Sequence, residues 1–195
     1  MKKLDQLKVL IREFTRDVLK SQTSIKEGKK LRVFDFDDTL VKTGSMIHVT
    51  NSKGKKFDLT PGEYAVYDPL PGDEFDYSDF SKLIDPREIV WTGKILRNIL
   101  GKGGEVVILT ARAAEAPVHQ FLEDAGLPAL EVIALASSNP QKKAEYIEKR
   151  IIEDDIKLVE FFDDSYKNVE AVGDLASKYP NVKVISRHIV HKTEI

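Results

Sequence analysis

The chain has 195 residues, of which 42% are hydrophobic, and a formal net charge of -2. That is enough apolar material for one full core, so a single domain over residues 1–195 is expected, and the near-neutral charge gives no general pull toward nucleic acid or an anionic membrane. The absence of cysteine excludes disulfide scaffolds, thiolate zinc sites and cysteine nucleophiles.

Residues 2–20 read as an amphipathic helix, with Leu4, Leu7, Ile11, Phe14 and Val18 spaced 3, 4, 3 and 4 apart. Such a face packs on its own domain or pairs two copies into a homodimer; two heptads are too few to specify a coiled coil. The charges scattered through this stretch are unlike a secretory signal, and no segment reaches the roughly 20 apolar residues of a membrane span, so a cytoplasmic location is expected.

A first buried strand follows at 31–34, "LRVF". The segment 41–84 is irregular. "MIHVT" and "KFDLT" flank "NSKGK", a hairpin turning near Gly54; "TPGE" (60–63) is a capping box opening a short helical turn; "PGDEFDYSDF" reads as an acidic, aromatic surface loop. Together these make a flap rather than a large cap domain. "DPRE" (85–88) then places Asp85 as the N-cap of a helix running to about residue 101, with Trp91 in the core.

Strands are expected at 105–110 "EVVILT", 131–136 "EVIALA", 157–162 "KLVEFF" and 182–187 "VKVISR", separated by helical patterns. Asn139 and Pro140 mark one helix start. The alternation of strand and helix predicts an α/β fold, a Rossmann-like three-layer sandwich with a central parallel sheet.

The chemistry gathers at strand ends. "DFDDT" (35–39) puts Asp35, Asp37 and Asp38 at the exit of the first strand, the edge of an open α/β sheet where ligands bind. Carboxylates a few Å apart raise each other's pKa unless a cation offsets them. Thr110 ends the second main strand, Lys142 and Lys143 open the helix after the third, and Asp163 and Asp164 end the fourth. If Ala144, Ile147 and Ile151 form the buried face of that helix, then at about 100° per residue Lys143 flanks it and Lys142 lies nearly opposite; Lys143 is therefore the expected site lysine.

In this order and context the motifs resemble those of the haloacid dehalogenase-like phosphohydrolases, over residues 31–164. The resemblance implies that Asp35 attacks phosphorus to form an aspartyl-phosphate, that Asp37 serves as general acid and base, and that Thr110 and Lys143 stabilise the phosphoryl group. It implies magnesium, held by Asp35, Asp37 through its carbonyl, and Asp163, with Asp164 assisting the metal or the lysine, or capping the next helix. Ala111 and Arg112 join Thr110 and Lys143 as candidate substrate contacts; for Arg112 a surface ion pair is the alternative. An acid at position 37 favours phosphatase or phosphotransferase chemistry within that family.

The expected activity is a magnesium-dependent phosphomonoesterase acting on a nucleotide or a polynucleotide 3′ end, with "KGKK" (53–56) and "KEGKKLR" (26–32) available to a phosphate backbone. The alternatives are a small-metabolite phosphatase with Tyr64, Tyr67 and Phe75 shaping its pocket, and a non-catalytic scaffold. His48 and His119 show no metal-site spacing.

Overall fold

The computed structural model describes residues 28–190. The amphipathic stretch 2–20, and with it the dimer contact, lies outside the described residues.

Five strands form one all-parallel sheet: β1 (Lys29–Phe34), β7 (Val107–Thr110), β8 (Glu131–Ala134), β9 (Ile156–Asp163) and β10 (Lys183–His188), in the order β10-β9-β1-β7-β8. Alternation along β1 divides the core. Leu31 and Val33 face α4 (Pro140–Glu153), α5 (Tyr166–Gly173) and α6 (Leu175–Lys178), while Phe34 faces α2 (Val90–Gly101) and α3 (Ala116–Asp124). Phe34 stacks on Phe162 of the neighbouring strand, ring centres 4.3 Å apart. No helix among the described residues is long and apolar enough to cross a membrane.

The helical periodicity of α4 holds: Ala144, Ile147 and Ile151 all sit in the core, and Asn139 caps the helix by accepting from the Gln141 amide. Ile147 is completely enclosed, so Ile147→Ala is expected to lower unfolding free energy by about 2–5 kcal/mol, measured by urea denaturation.

The chain leaves and re-enters the sheet through a two-stranded ribbon, β2 (Val41–Lys42) against β6 (Arg87–Glu88). Between them lies an insert built on β3 (Ile47–Thr50), β4 (Lys56–Leu59) and β5 (Glu74–Asp76), with α1 (Pro61–Val66) after β4. The hairpin turns at Gly54, whose φ of 75° suits glycine, and the Thr60–Glu63 capping box is formed in both directions.

Three expectations fail here. The acidic stretch carries β5, because Phe75 turns inward opposite Val49 while Glu74 and Asp76 face out, a three-residue alternation that pairs with β3. "DPRE" does not open a helix. Arg87 and Glu88 are committed to the ribbon with β2, Asp85 sits at φ 44° rather than in the extended conformation of an N-cap, and α2 starts at Val90 after Ile89. Trp91 is 45% exposed, since α2 turns Thr92, Gly93 and Leu96 to the core instead.

Candidate active site

The order of strands fixes where a site can form. From β1 the chain runs outward to β7 and β8, then crosses back to β9 and β10 on the other side. The carboxyl ends of β1 and β9 therefore flank the topological switch point, the crevice where open α/β sheets bind ligands. Asp35 follows β1, its amide donating to the Phe162 carbonyl at 2.9 Å, and Asp163 ends β9.

Beyond Asp35 the chain makes a tight turn. Phe36 O accepts from the amides of Leu40 and Val41, and Asp38 takes φ 54°, a left-handed conformation that aspartate tolerates. The turn is fastened from two sides. Thr92 Oγ1 of α2 donates to the Thr39 carbonyl at 2.6 Å, and the Asp164 amide donates to Thr39 Oγ1 at 3.1 Å. The threonine of "DFDDT" thus joins the two acidic strand ends.

Lys143 reaches this crevice from the first turn of α4 and is 3% exposed. Its ammonium donates to Asp35 Oδ1 at 2.6 Å and to Asp163 Oδ2 at 2.7 Å. Lys142 points to solvent and pairs with Glu145, so of the two lysines it is Lys143 that the helix turns to the crevice. Burial alone would lower the Lys143 pKa; Asp163 and Asp35 outweigh it and hold the ammonium charged well above its ordinary range.

Asp163 is fixed further by the Ser165 amide at 2.8 Å and by Asn168 Nδ2 at 3.0 and 3.1 Å. Asn168 was not foreseen. Its only sequence signal is its place in the first turn of α5, where a side chain can reach back to the strand end.

Asp35, Asp163 and Asp164 each offer a carboxylate oxygen, and these oxygens lie within 4.8 Å of one another. Burial, then Asp163 and Asp37, push Asp35 up to about 7 against the pull of Lys143. Burial, then Asp35, Asp163 and Asp38, push Asp164 up to about 8. A single lysine does not compensate this crowding, and three hard oxygen donors suit a divalent cation such as magnesium.

The other site candidates divide. Thr110 is fully buried at the end of β7, where the pairing of Phe34 with Ile108 places it level with Phe36, and its hydroxyl accepts from the Arg112 amide at 3.2 Å. Ala111 is exposed just beyond. The Asp37 carboxylate stands outside the acidic triplet. Arg112 grips it with Nε to Oδ2 at 2.8 Å and Nη2 to Oδ1 at 2.7 Å, and Arg112 is itself buried. The ion pair expected as one reading of Arg112 is therefore present, but enclosed rather than at the surface. His48 lies on the insert between Asp58 and Asp79, which raise its pKa.

The insert abuts the site. Tyr64 Oη lies 3.3 Å from Ser138 Oγ, on the loop leading into α4, and a Cβ added at Gly62 would lie 3.9 Å from Asp38 Oδ2. Tyr64 and Tyr67 each pack edge-to-face on Phe75, and all three are half-buried. Of the two basic stretches, Lys53, Lys55 and Lys56 are exposed at the hairpin tip. Lys29 and Lys30 lie at the amino end of β1, about 20 Å from its Asp35 end.

No protein-family model matches the chain, and comparison with curated proteins finds no match either. The functional reading therefore rests on the site itself.

Proposed function

We propose that the protein is a magnesium-dependent phosphomonoester hydrolase of the haloacid dehalogenase-like kind, with a small insert in place of a large cap. The observation that carries this reading is the buried Lys143 ammonium bridging Asp35 and Asp163 at the switch point, with Asp164 beside them.

Asp35 is the nucleophile: its carboxylate attacks phosphorus and the ester bond breaks, leaving an aspartyl-phosphate and an alcohol. Asp37 gives the departing oxygen its proton, then takes one from the water that hydrolyses the acyl-phosphate, so both acids return to their starting state. Lys143 offsets charge on the nucleophile and on the phosphoryl oxygens as they approach, and the Thr110 hydroxyl is the further donor at the strand edge. Asp35, Asp163, Asp164 and the Asp37 carbonyl would hold magnesium, which would supply the remaining positive charge that this acidic crevice needs. The substrate is a nucleotide or a polynucleotide 3′-phosphate, and the exposed lysines at the hairpin tip are available to a phosphate backbone.

The test is phosphate release from sugar phosphates, mononucleotides, a phosphopeptide and a 3′-phosphorylated oligonucleotide, with and without magnesium and with Asp35→Asn as control. Magnesium-dependent release, absent in the variant, is expected. Equal release without metal would remove the metal from the reaction, and no release from any ester would remove the activity.

The raised acids also make a prediction that needs no substrate. Folded, metal-free protein holds protons on Asp35 up to about pH 7 and on Asp164 up to about pH 8, whereas the unfolded chain releases them near pH 4. The folded state binds more protons in that window, so these two groups make stability fall as pH rises from about 4 to 8. Magnesium must displace those protons. Its increase of the thermal unfolding midpoint is therefore expected to be larger at pH 8 than at pH 6, and equal increases would separate the metal from these two acids.

A further inference from the structure

Arg112 makes more contacts than a substrate clamp needs. Besides gripping both oxygens of Asp37, it donates from Nη1 to the carbonyls of Phe80 and Lys82, each at 3.0 Å. Its guanidinium carbon lies 5.0 Å from the Phe80 ring centre and 5.5 Å from that of Phe36, so the cation lies over both aromatic rings. Its backbone is anchored in the sheet: its amide donates to Thr110 Oγ1, and its carbonyl accepts from Ala136 N at 3.0 Å.

Phe80 and Lys82 belong to the insert, and their turn is tied to the start of β3. Ser45 Oγ donates to the Asp79 carbonyl, and the Met46 amide donates to Asp79 Oδ2 at 3.1 Å. A buried residue on the loop just after β7 thus holds the acid at position 37 with one edge of its guanidinium and the insert with the other.

We infer that Arg112 is a positioning residue that fixes the direction of the Asp37 carboxylate and makes that direction depend on docking of the insert. The inference rests on the phosphomonoesterase reading for Asp37's role and on geometry alone for the clamp. Arg112 takes two of the roughly four acceptor positions of the carboxylate and the Thr43 hydroxyl, 3.5 Å from Oδ1, approaches a third, which leaves a position on Oδ2 for the proton of the leaving oxygen. A bidentate pair fixes the plane of that edge, and proton transfer depends on it. An insert that moves away takes the Phe80 and Lys82 carbonyls with it, and the cation that orients Asp37 loses two of its four side-chain hydrogen bonds. Only a guanidinium serves both sides at once; an ammonium is a point charge without the fork.

The test uses the full chain with magnesium and two esters, phenyl phosphate, whose leaving group needs a proton, and 2,4-dinitrophenyl phosphate, whose leaving group does not. Arg112→Ala is expected to lower kcat/KM, which covers the steps up to departure of the leaving group, about 100-fold on phenyl phosphate and less than about 5-fold on the dinitrophenyl ester. Phe80→Ala, which loosens the clamp without touching Asp37, is expected to show the same bias at about 10-fold. Equal loss of kcat/KM on both esters would make Arg112 a structural or substrate-binding residue and overturn the inference.

A second measurement is independent of turnover. Amide hydrogen exchange over residues 77–84 is expected to speed up in Arg112→Ala and to stay unchanged in Asp35→Asn. Unchanged exchange in Arg112→Ala would overturn the clamp even if no ester were hydrolysed, whereas a protein that hydrolyses nothing but shows the faster exchange would count against the phosphatase reading and not against the clamp.

Discussion

Asp35→Asn is expected to reduce phosphate release by at least about 10⁴-fold, with a thermal unfolding midpoint equal to or above that of the unchanged protein. The two halves of this result have one cause. The amide matches the carboxylate in shape but is a poor nucleophile, so the covalent step is lost. It also removes a charge from a crowded crevice: Asp35 is the largest electrostatic contributor, after burial, to the raised pKa of Asp164. Lys143 is not orphaned by the change, because Asp163 still accepts from it at 2.7 Å. A buried cation that keeps a hydrogen-bonded anion does not carry the penalty of an unpaired charge. Single-turnover phosphate release and thermal unfolding on the same sample check both halves. Retained turnover would take the nucleophile role from Asp35, and a large fall in stability would show that its carboxylate holds the fold together.

The parts of this site that the sequence discloses are those set by local periodicity. Strand ends follow apolar runs, which is why Asp35, Thr110 and Asp163 emerge at one edge of the sheet. The helical repeat of Ala144, Ile147 and Ile151 is strong enough to separate Lys143 from Lys142. Where a local signal competes with pairing between distant segments, it misleads. The "DPRE" box has the side chains of a cap, but the ribbon with Val41 and Lys42 takes Arg87 and Glu88 first, and α2 begins too late to bury Trp91. Arg112 shows the limit most clearly. Its partners are Asp37, 75 positions away, and the carbonyls of residues 80 and 82. Carbonyl acceptors carry no sequence signature, so nothing in "LTAR" separates a residue that meets substrate from one that holds the acid.

Lys143→Ala and Lys142→Ala are expected to differ by about two to three orders of magnitude in kcat, although they remove the same group from neighbouring positions. Lys142 is exposed, and its pair with Glu145 is a surface i,i+3 contact, the kind that contributes at most about 1 kcal/mol; its loss should change kcat by less than about 2-fold. Among the described residues, Lys143 is the one cation in direct contact with both Asp35 and Asp163. Removing a preorganised donor from a water-poor site costs about 10²–10³ in rate, and it leaves buried carboxylates facing one another, a defect of about 3–5 kcal/mol. The sign of the pH dependence separates these two losses. Without the ammonium that lowers the Asp35 pKa, the crevice holds its protons to higher pH, so the stability deficit of Lys143→Ala should be small near pH 5 and grow toward pH 8. Lys143→Met keeps the apolar stem packed in α4 and tests catalysis with less disturbance of the core. Both variants are expected to remain slow in magnesium at pH 6, where the protein is folded. A normal rate for Lys143→Met beside a slow Lys142→Ala would move the phosphoryl-stabilising charge to the outer face of α4.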